Sequence, residues 1–130
     1  MSITPGTVLV VDDEHDLCRV IAEALEEDGH EVETVTDGSH ALNALQTKRF
    51  DMLLTDIVMP ELDGITLALK VSSDFPEMPI LLMTGYAGER QRAYNLDALI
   101  HDVVTKPFTL EDICAMVKRT LGPADGESVH

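Results

Sequence analysis

Five strand-like runs, each followed by a stretch with helical spacing, constrain this chain more than any other feature. Thr7–Val11, Phe50–Thr55 and Ile80–Met83 are short, apolar and rich in β-branched or aliphatic residues. Runs of that kind read as strands buried on both faces. Glu31–Val35 alternates, and Leu99–Thr105 supplies a fifth strand with His101 and Asp102 as unusual members. Between them, apolar residues recur at helical spacing. Leu17, Val20, Ile21, Ala24 and Leu25 do so before a stop at Gly29. Ala41, Leu42 and Leu45 follow a cap at Asp37, and Ile65, Leu67, Ala68 and Leu69 follow a cap at Asp63. Pro76 and Pro79 break the chain before the fourth strand. Gly85 and Gly88 flank a loop, and a short polar helix is expected over about Glu89–Leu96. Thr109 caps a last helix with Leu110, Ile113, Met116, Val117 and Leu121 on one side. Strict alternation of strand and helix predicts parallel strands joined by right-handed crossovers, hence an α/β three-layer sandwich with five strands and five helices.

At 130 residues with 45% hydrophobic content, the chain suits one domain with a real core. Residues 1–122 read as that domain, and the polar residues 123–130 as a tail or the start of a linker. Nine Lys and Arg stand against 24 Asp and Glu, a formal net charge of −15. Direct nucleic-acid binding needs a basic footprint, and anionic membranes repel such a surface, so neither partner is expected. Met1–Gly6 lacks the basic patch and apolar core of a signal peptide, and the apolar runs fall far short of a membrane span. A cytoplasmic location is expected. Cys18 and Cys114 form no zinc or redox spacing and read as reduced thiols at or near the core. His15, His30, His40 and His101 show no ligand spacing and read as surface or boundary residues.

The chemistry concentrates where the strands end. Asp12 and Asp13 follow the first strand, and Asp56 follows the third. In open parallel sheets, sites form outside the carboxyl ends of the strands. Like charges gathered there repel unless a cation joins them, and hard oxygen donors suit Mg²⁺. Taken singly, Asp12 and Asp13 could be turn residues capping the first helix, Thr84 a strand terminator and Lys106 a solvated surface residue. Asp63 and Gly64 are most economically a cap and a turn.

Together, these landmarks resemble the receiver domain of two-component response regulators, the family of the bacterial chemotaxis regulator. They are Asp12-Asp13, Asp56, Met59-Pro60, Asp63-Gly64, Thr84 and Lys106-Pro107-Phe108, in order, and the likeness covers roughly residues 6–121. The resemblance implies a flavodoxin-like sheet in the order 2-1-3-4-5. It implies that Asp56 accepts a phosphoryl group from a histidine kinase or histidine phosphotransfer protein. Mg²⁺ would be held by Asp13 and Asp56, by Asp12 through water and by the backbone carbonyl of Val58. Lys106 would pair with Asp56 and then with phosphoryl oxygens, which Thr84 would also bind. Pro60, Asp63, Gly64 and Pro107 would shape the loops, with a cis bond at Lys106-Pro107 as one option. The domain would then be a switch that catalyses only its own phosphorylation and dephosphorylation. It would act on an unidentified output partner or domain, as a monomer or a phosphorylation-dependent dimer.

The match departs at Val103, where many receivers carry Tyr or Phe as a rotamer switch. Tyr86, two residues past Thr84, could shield the site or partly replace that switch, or simply pack on its loop. Other functions remain open at this point. One is a phosphorylation-independent interaction module, which Val103 favours. Another is a Mg²⁺-dependent phosphatase of the haloacid-dehalogenase type, which wants an Asp where this chain has Val58. A flavin-binding reading wants phosphate-cradling loops where this chain has Asp12-Asp13-Glu14.

Overall fold

A computed structural model of the protein describes residues 6–59, 61–85 and 100–122. Five parallel strands form one sheet: β1 (Thr7–Val11), β2 (Glu31–Val35), β3 (Met52–Asp56), β4 (Ile80–Thr84) and β5 (Asp102–Thr105). Their order is β2-β1-β3-β4-β5, as the resemblance implied. Four helices are present among the described residues: α1 (His15–Glu27), α2 (Gly38–Thr47), α3 (Gly64–Asp74) and α4 (Leu110–Leu121). The helix expected over residues 89–96 lies outside the described residues, as do Pro60, Tyr86, Gly88, Leu99 and residues 123–130.

The strand pleat sends alternate residues to opposite faces, and each face builds its own core. Val8 and Val10 of β1 join Met52, Leu54, Leu81 and Met83 beneath α1 and α4, which supply Cys18, Ile21, Leu25, Ile113, Met116 and Val117. Leu9 and Val11 join Leu53 and Leu82 beneath α2 and α3, which supply Ala41, Leu45, Leu67, Ala68 and Val71. Because β1, β3 and β4 are covered on both faces, their apolar content is nearly continuous. No helix among the described residues is long and apolar enough to cross a membrane.

The helix starts follow local chemistry. The Asp37 carboxylate accepts the His40 N–H at 2.8 Å, and Asp63 accepts the Thr66 N–H at 2.8 Å. Thr109 and Asp112 cap α4 reciprocally. Gly29, with φ of 97°, takes the left-handed turn that ends α1. Gly38 leaves room for Leu62, whose side chain would lie 2.6–2.9 Å from a Cβ at that position.

Three expectations need correction. The third strand starts at Met52 rather than Phe50, because Phe50 turns into the core and Asp51 stays exposed, binding the Thr7 N–H at 2.9 Å. The fifth strand is Asp102–Thr105, shorter than expected, with Ile100 and His101 leading into it. His30 is buried rather than a surface or boundary residue. Its Nδ1 accepts the Gly6 N–H at 3.2 Å where α1 gives way to β2, and burial lowers its pKa.

Candidate functional site

The carboxyl ends of β1, β3, β4 and β5 converge on one edge of the sheet. The register sets Val11 beside Thr55, Asp56 beside Met83 and Thr84 beside Thr105. Residues at or just past the strand ends therefore meet. Asp12, Asp13 and Asp56 bring carboxylate oxygens within 4.8 Å of one another. The Lys106 N–H donates to the Thr84 carbonyl at 2.7 Å, which aligns the end of β5 with that of β4. A cleft of about 690 Å³ opens over this edge, lined by Asp13, Glu14, Asp56, Val58, Gly85 and Lys106 among others.

Lys106 is the cation at the centre of the cluster. Its Nζ donates to Asp12 Oδ2 at 3.0 Å and lies 3.4 Å from Asp56 Oδ1 and 3.7 Å from Glu14 Oε1. Asp12 is thus the nearest acceptor, and Asp56, the partner the resemblance implied, is also within ion-pair distance. The Lys106-Pro107 bond is cis. Asp12 is fully buried, and its other oxygen, Oδ1, accepts the Glu14 N–H at 2.9 Å.

Burial dominates the electrostatics. Asp56 is only 6% exposed, and desolvation together with the Asp12 charge pushes its carboxyl up to about 6 against the pull of Lys106. Desolvation also raises Asp12, opposed by the hydrogen bonds from Glu14 and Lys106. Burial works against the Lys106 ammonium, but Asp12 and Asp56 outweigh it and raise its pKa. Among the described residues, buried acids held above their ordinary range beside one lysine form a site short of positive charge. An all-oxygen donor set of this kind fits a hard divalent cation.

The loop after β3 fixes how Asp56 is presented. Gly64 donates its N–H to the Ile57 carbonyl at 2.8 Å. A Cβ on Gly64 would lie 2.0 Å from the Asp56 carbonyl oxygen and 2.8 Å from the Ile57 Cα. Only glycine permits that approach. Glu61, earlier in the same loop, takes a φ of 67°, uncommon for a residue with a side chain. Asp63 is thus the cap expected of it, while Gly64 is the first helical residue of α3 rather than a turn residue, and it lets the chain pass close over the Asp56 carbonyl.

Thr84 is buried at the end of β4, and Gly85 lines the cleft beside it. Val58 also lines the cleft, with its side chain exposed. Val103 packs against the core under α2 and α3. Tyr86 and Pro60 lie outside the described residues. Sequence reasoning missed Glu14 as a site residue. Its signal was position, directly after Asp12-Asp13, and only the fold shows that it reaches Lys106.

The sequence model of the response regulator receiver domain matches residues 8–118. The chain is 37% identical over 120 residues to the probable transcriptional regulatory protein TcrX of Mycobacterium tuberculosis, covering 89% of this chain and 51% of TcrX. It is 35% identical over 114 residues to the response regulator receiver protein CpdR of Brucella abortus, covering 88% of this chain and 95% of CpdR. It thus spans about half the length of TcrX and nearly all of CpdR. Among solved structures, it superposes on a CheY-like receiver domain protein from Methanospirillum hungatei with a TM-score of 0.84 and 27% identity, over 91% of this chain and 94% of that one. Against the chemotaxis response regulator CheY4 of Vibrio cholerae, the TM-score is 0.82 at 30% identity, over 91% of this chain and all of that one. A sheet in the order β2-β1-β3-β4-β5, acids and a lysine at its carboxyl edge, and these matches lead to one assignment: the chain belongs to the response regulator receiver domain family.

Proposed function

We propose that Asp56 is the phosphoacceptor of a signalling switch and takes its phosphoryl group from a phosphohistidine on a histidine kinase or histidine phosphotransfer protein. One observation carries the reading: Asp56 ends β3 at the floor of a cleft, 3.4 Å from the Lys106 ammonium and beside Asp12 and Asp13. In the transfer, an Asp56 carboxylate oxygen attacks phosphorus as the bond from phosphorus to the histidine nitrogen breaks. The imidazole leaves with the electron pair and takes up a proton. Little covalent work falls to the protein in such a step, so positioning and charge neutralisation decide its rate. Lys106 turns from Asp12 toward the phosphoryl oxygens, and the Thr84 hydroxyl donates to one of them.

Asp13 and Asp56, Asp12 through water and the Val58 carbonyl are the groups that would hold Mg²⁺. The ion, when bound, supplies positive charge against the carboxylates and the transferring group. The acylphosphate then changes which surface binds an output partner or domain, and the chain turns over no separate substrate. Residues 1–122 form the switching unit. The phosphatase reading is weaker, because the second position after Asp56 carries the apolar Val58 and no acid or base.

Incubation with acetyl phosphate, with and without Mg²⁺, followed by intact-mass measurement, tests this directly. One Mg²⁺-dependent phosphoryl adduct, absent from Asp56→Asn, is expected. An adduct that persists in Asp56→Asn would refute the assignment.

A further inference from the structure

Glu14 is the N-cap residue of α1, yet its side chain makes no capping hydrogen bond. Ser, Thr, Asn or Asp would stabilise that position better. Its backbone carries the local structure, donating to Asp12 and accepting from the Cys18 N–H at 3.1 Å. The side chain instead stands at the mouth of the cleft, 67% exposed, with its carboxylate 3.7 Å from Lys106 Nζ. A residue that forgoes a local preference points to work at the site. Here it adds a fourth carboxylate to Asp12, Asp13 and Asp56, where a phosphodonor, itself an anion, must enter.

Resting on the phosphoacceptor reading above, we propose that Glu14 sets the class of phosphodonor the site accepts, disfavouring free, highly charged small-molecule donors relative to a phosphohistidine delivered by a docked protein. Two effects act together. The Glu14 charge repels the incoming phosphoryl group, and it competes with that group for Lys106. A docked protein offsets both through contacts made elsewhere on its surface, whereas a free donor has no such contacts.

The repulsion scales with donor charge. Lys106 Nζ lies 3.7 Å from the Glu14 carboxylate, and a phosphoryl oxygen held about 3 Å beyond that ammonium would stand roughly 7 Å from Glu14. In a water-like dielectric, Coulomb's law then gives about a sevenfold penalty for a dianion and about a threefold penalty for a monoanion. Acetyl phosphate is a dianion near neutral pH. Asp56 attacks its phosphorus, the bond to the acetyl oxygen breaks and acetate leaves with the electron pair. Phosphoramidate carries one net negative charge there. Its bond from phosphorus to nitrogen breaks, and ammonia leaves with the pair.

The test compares the full chain with Glu14→Gln and Glu14→Asp, with Mg²⁺ present, by the rate of phosphoryl adduct formation from each donor at low and at high salt. Expected at low salt is a gain in Glu14→Gln of about sevenfold with acetyl phosphate and about threefold with phosphoramidate, with little gain in Glu14→Asp. At about 1 M salt, where screening falls to roughly 3 Å, both gains shrink toward unity. Equal rates for wild type and Glu14→Gln with both donors would overturn the proposal. So would a gain that is the same for both donors and indifferent to salt, because that would be structural. Absence of any adduct from every protein, with a phosphorylated histidine phosphotransfer protein as donor as well as with both small donors, would instead strike down the phosphoacceptor reading, and this inference with it.

Discussion

Replacing Asp56 by Asn is expected to stabilise the metal-free protein, although it removes the residue at the centre of the site. The folded chain holds the Asp56 carboxyl up at about 6, through burial first and the Asp12 charge second, against an ordinary value of 3.8. An acid with a raised folded pKa binds more protons folded than unfolded between those two values. Its contribution to stability therefore falls as pH rises through roughly 4 to 6 and stays low above that window. The full difference corresponds to about 3 kcal/mol at pH 8. The cleft is open to solvent on one side, and screening there brings the expected gain from Asp56→Asn to about 1–2 kcal/mol. At pH 4.5, where the wild-type carboxyl is largely protonated when folded, the same arithmetic leaves about a third of that gain. Urea unfolding of both proteins in EDTA at pH 8 and pH 4.5 measures it, as a midpoint shift of about 0.5–1 M at the higher pH. An Asn variant no more stable than wild type at pH 8, or a gain independent of pH, would refute the account of buried, uncompensated charge.

Three further outcomes follow from the same geometry. Mg²⁺ at ten times its dissociation constant should stabilise the wild type by about 1.4 kcal/mol, and Asp13→Asn should lose most of that shift in a thermal melt. Gly64→Ala should cost about 1–3 kcal/mol in urea unfolding and slow phosphorylation of Asp56, since a Cβ there meets the Asp56 carbonyl oxygen at 2.0 Å and backbone cannot yield cheaply. Cys18 and Cys114, both free, have thiols pushed up to about 11, in each case by burial first, so a thiol-reactive chromogen at pH 8 should label the native protein slowly and the urea-unfolded protein fast.

Much of the fold was readable because it depends on short-range pattern. The runs at β1, β3 and β4 announce buried strands by composition, and Asp37, Asp63 and Thr109 announce helix starts by hydrogen bonds made within three residues. Elements whose limits depend on neighbours were less legible. Asp102–Thr105 lies on the sheet edge with partial exposure, so its pattern is weak, and the start of β3 turned on whether Phe50 packs inward. His30 is polar by type, and only the tertiary structure buries it, with its Nδ1 accepting the Gly6 N–H.

The same division runs through the site. By itself, the sequence determined which groups stand at strand ends, because a parallel sheet sends every strand's carboxyl end to one edge. It thereby placed Asp12, Asp13 and Asp56 together in advance, and the family resemblance added Thr84 and Lys106. Tertiary structure alone decided how those groups share charge. Lys106 is separated from Asp12 by 94 positions, yet it sits 3.0 Å from that carboxylate, closer than to Asp56, and within reach of Glu14. The pKa of a carboxyl, the partner of a lysine and the room beside a glycine depend on through-space distance and solvent exclusion. Local sequence pattern carries neither quantity, so the electrostatics of this site exist only once the sheet has closed.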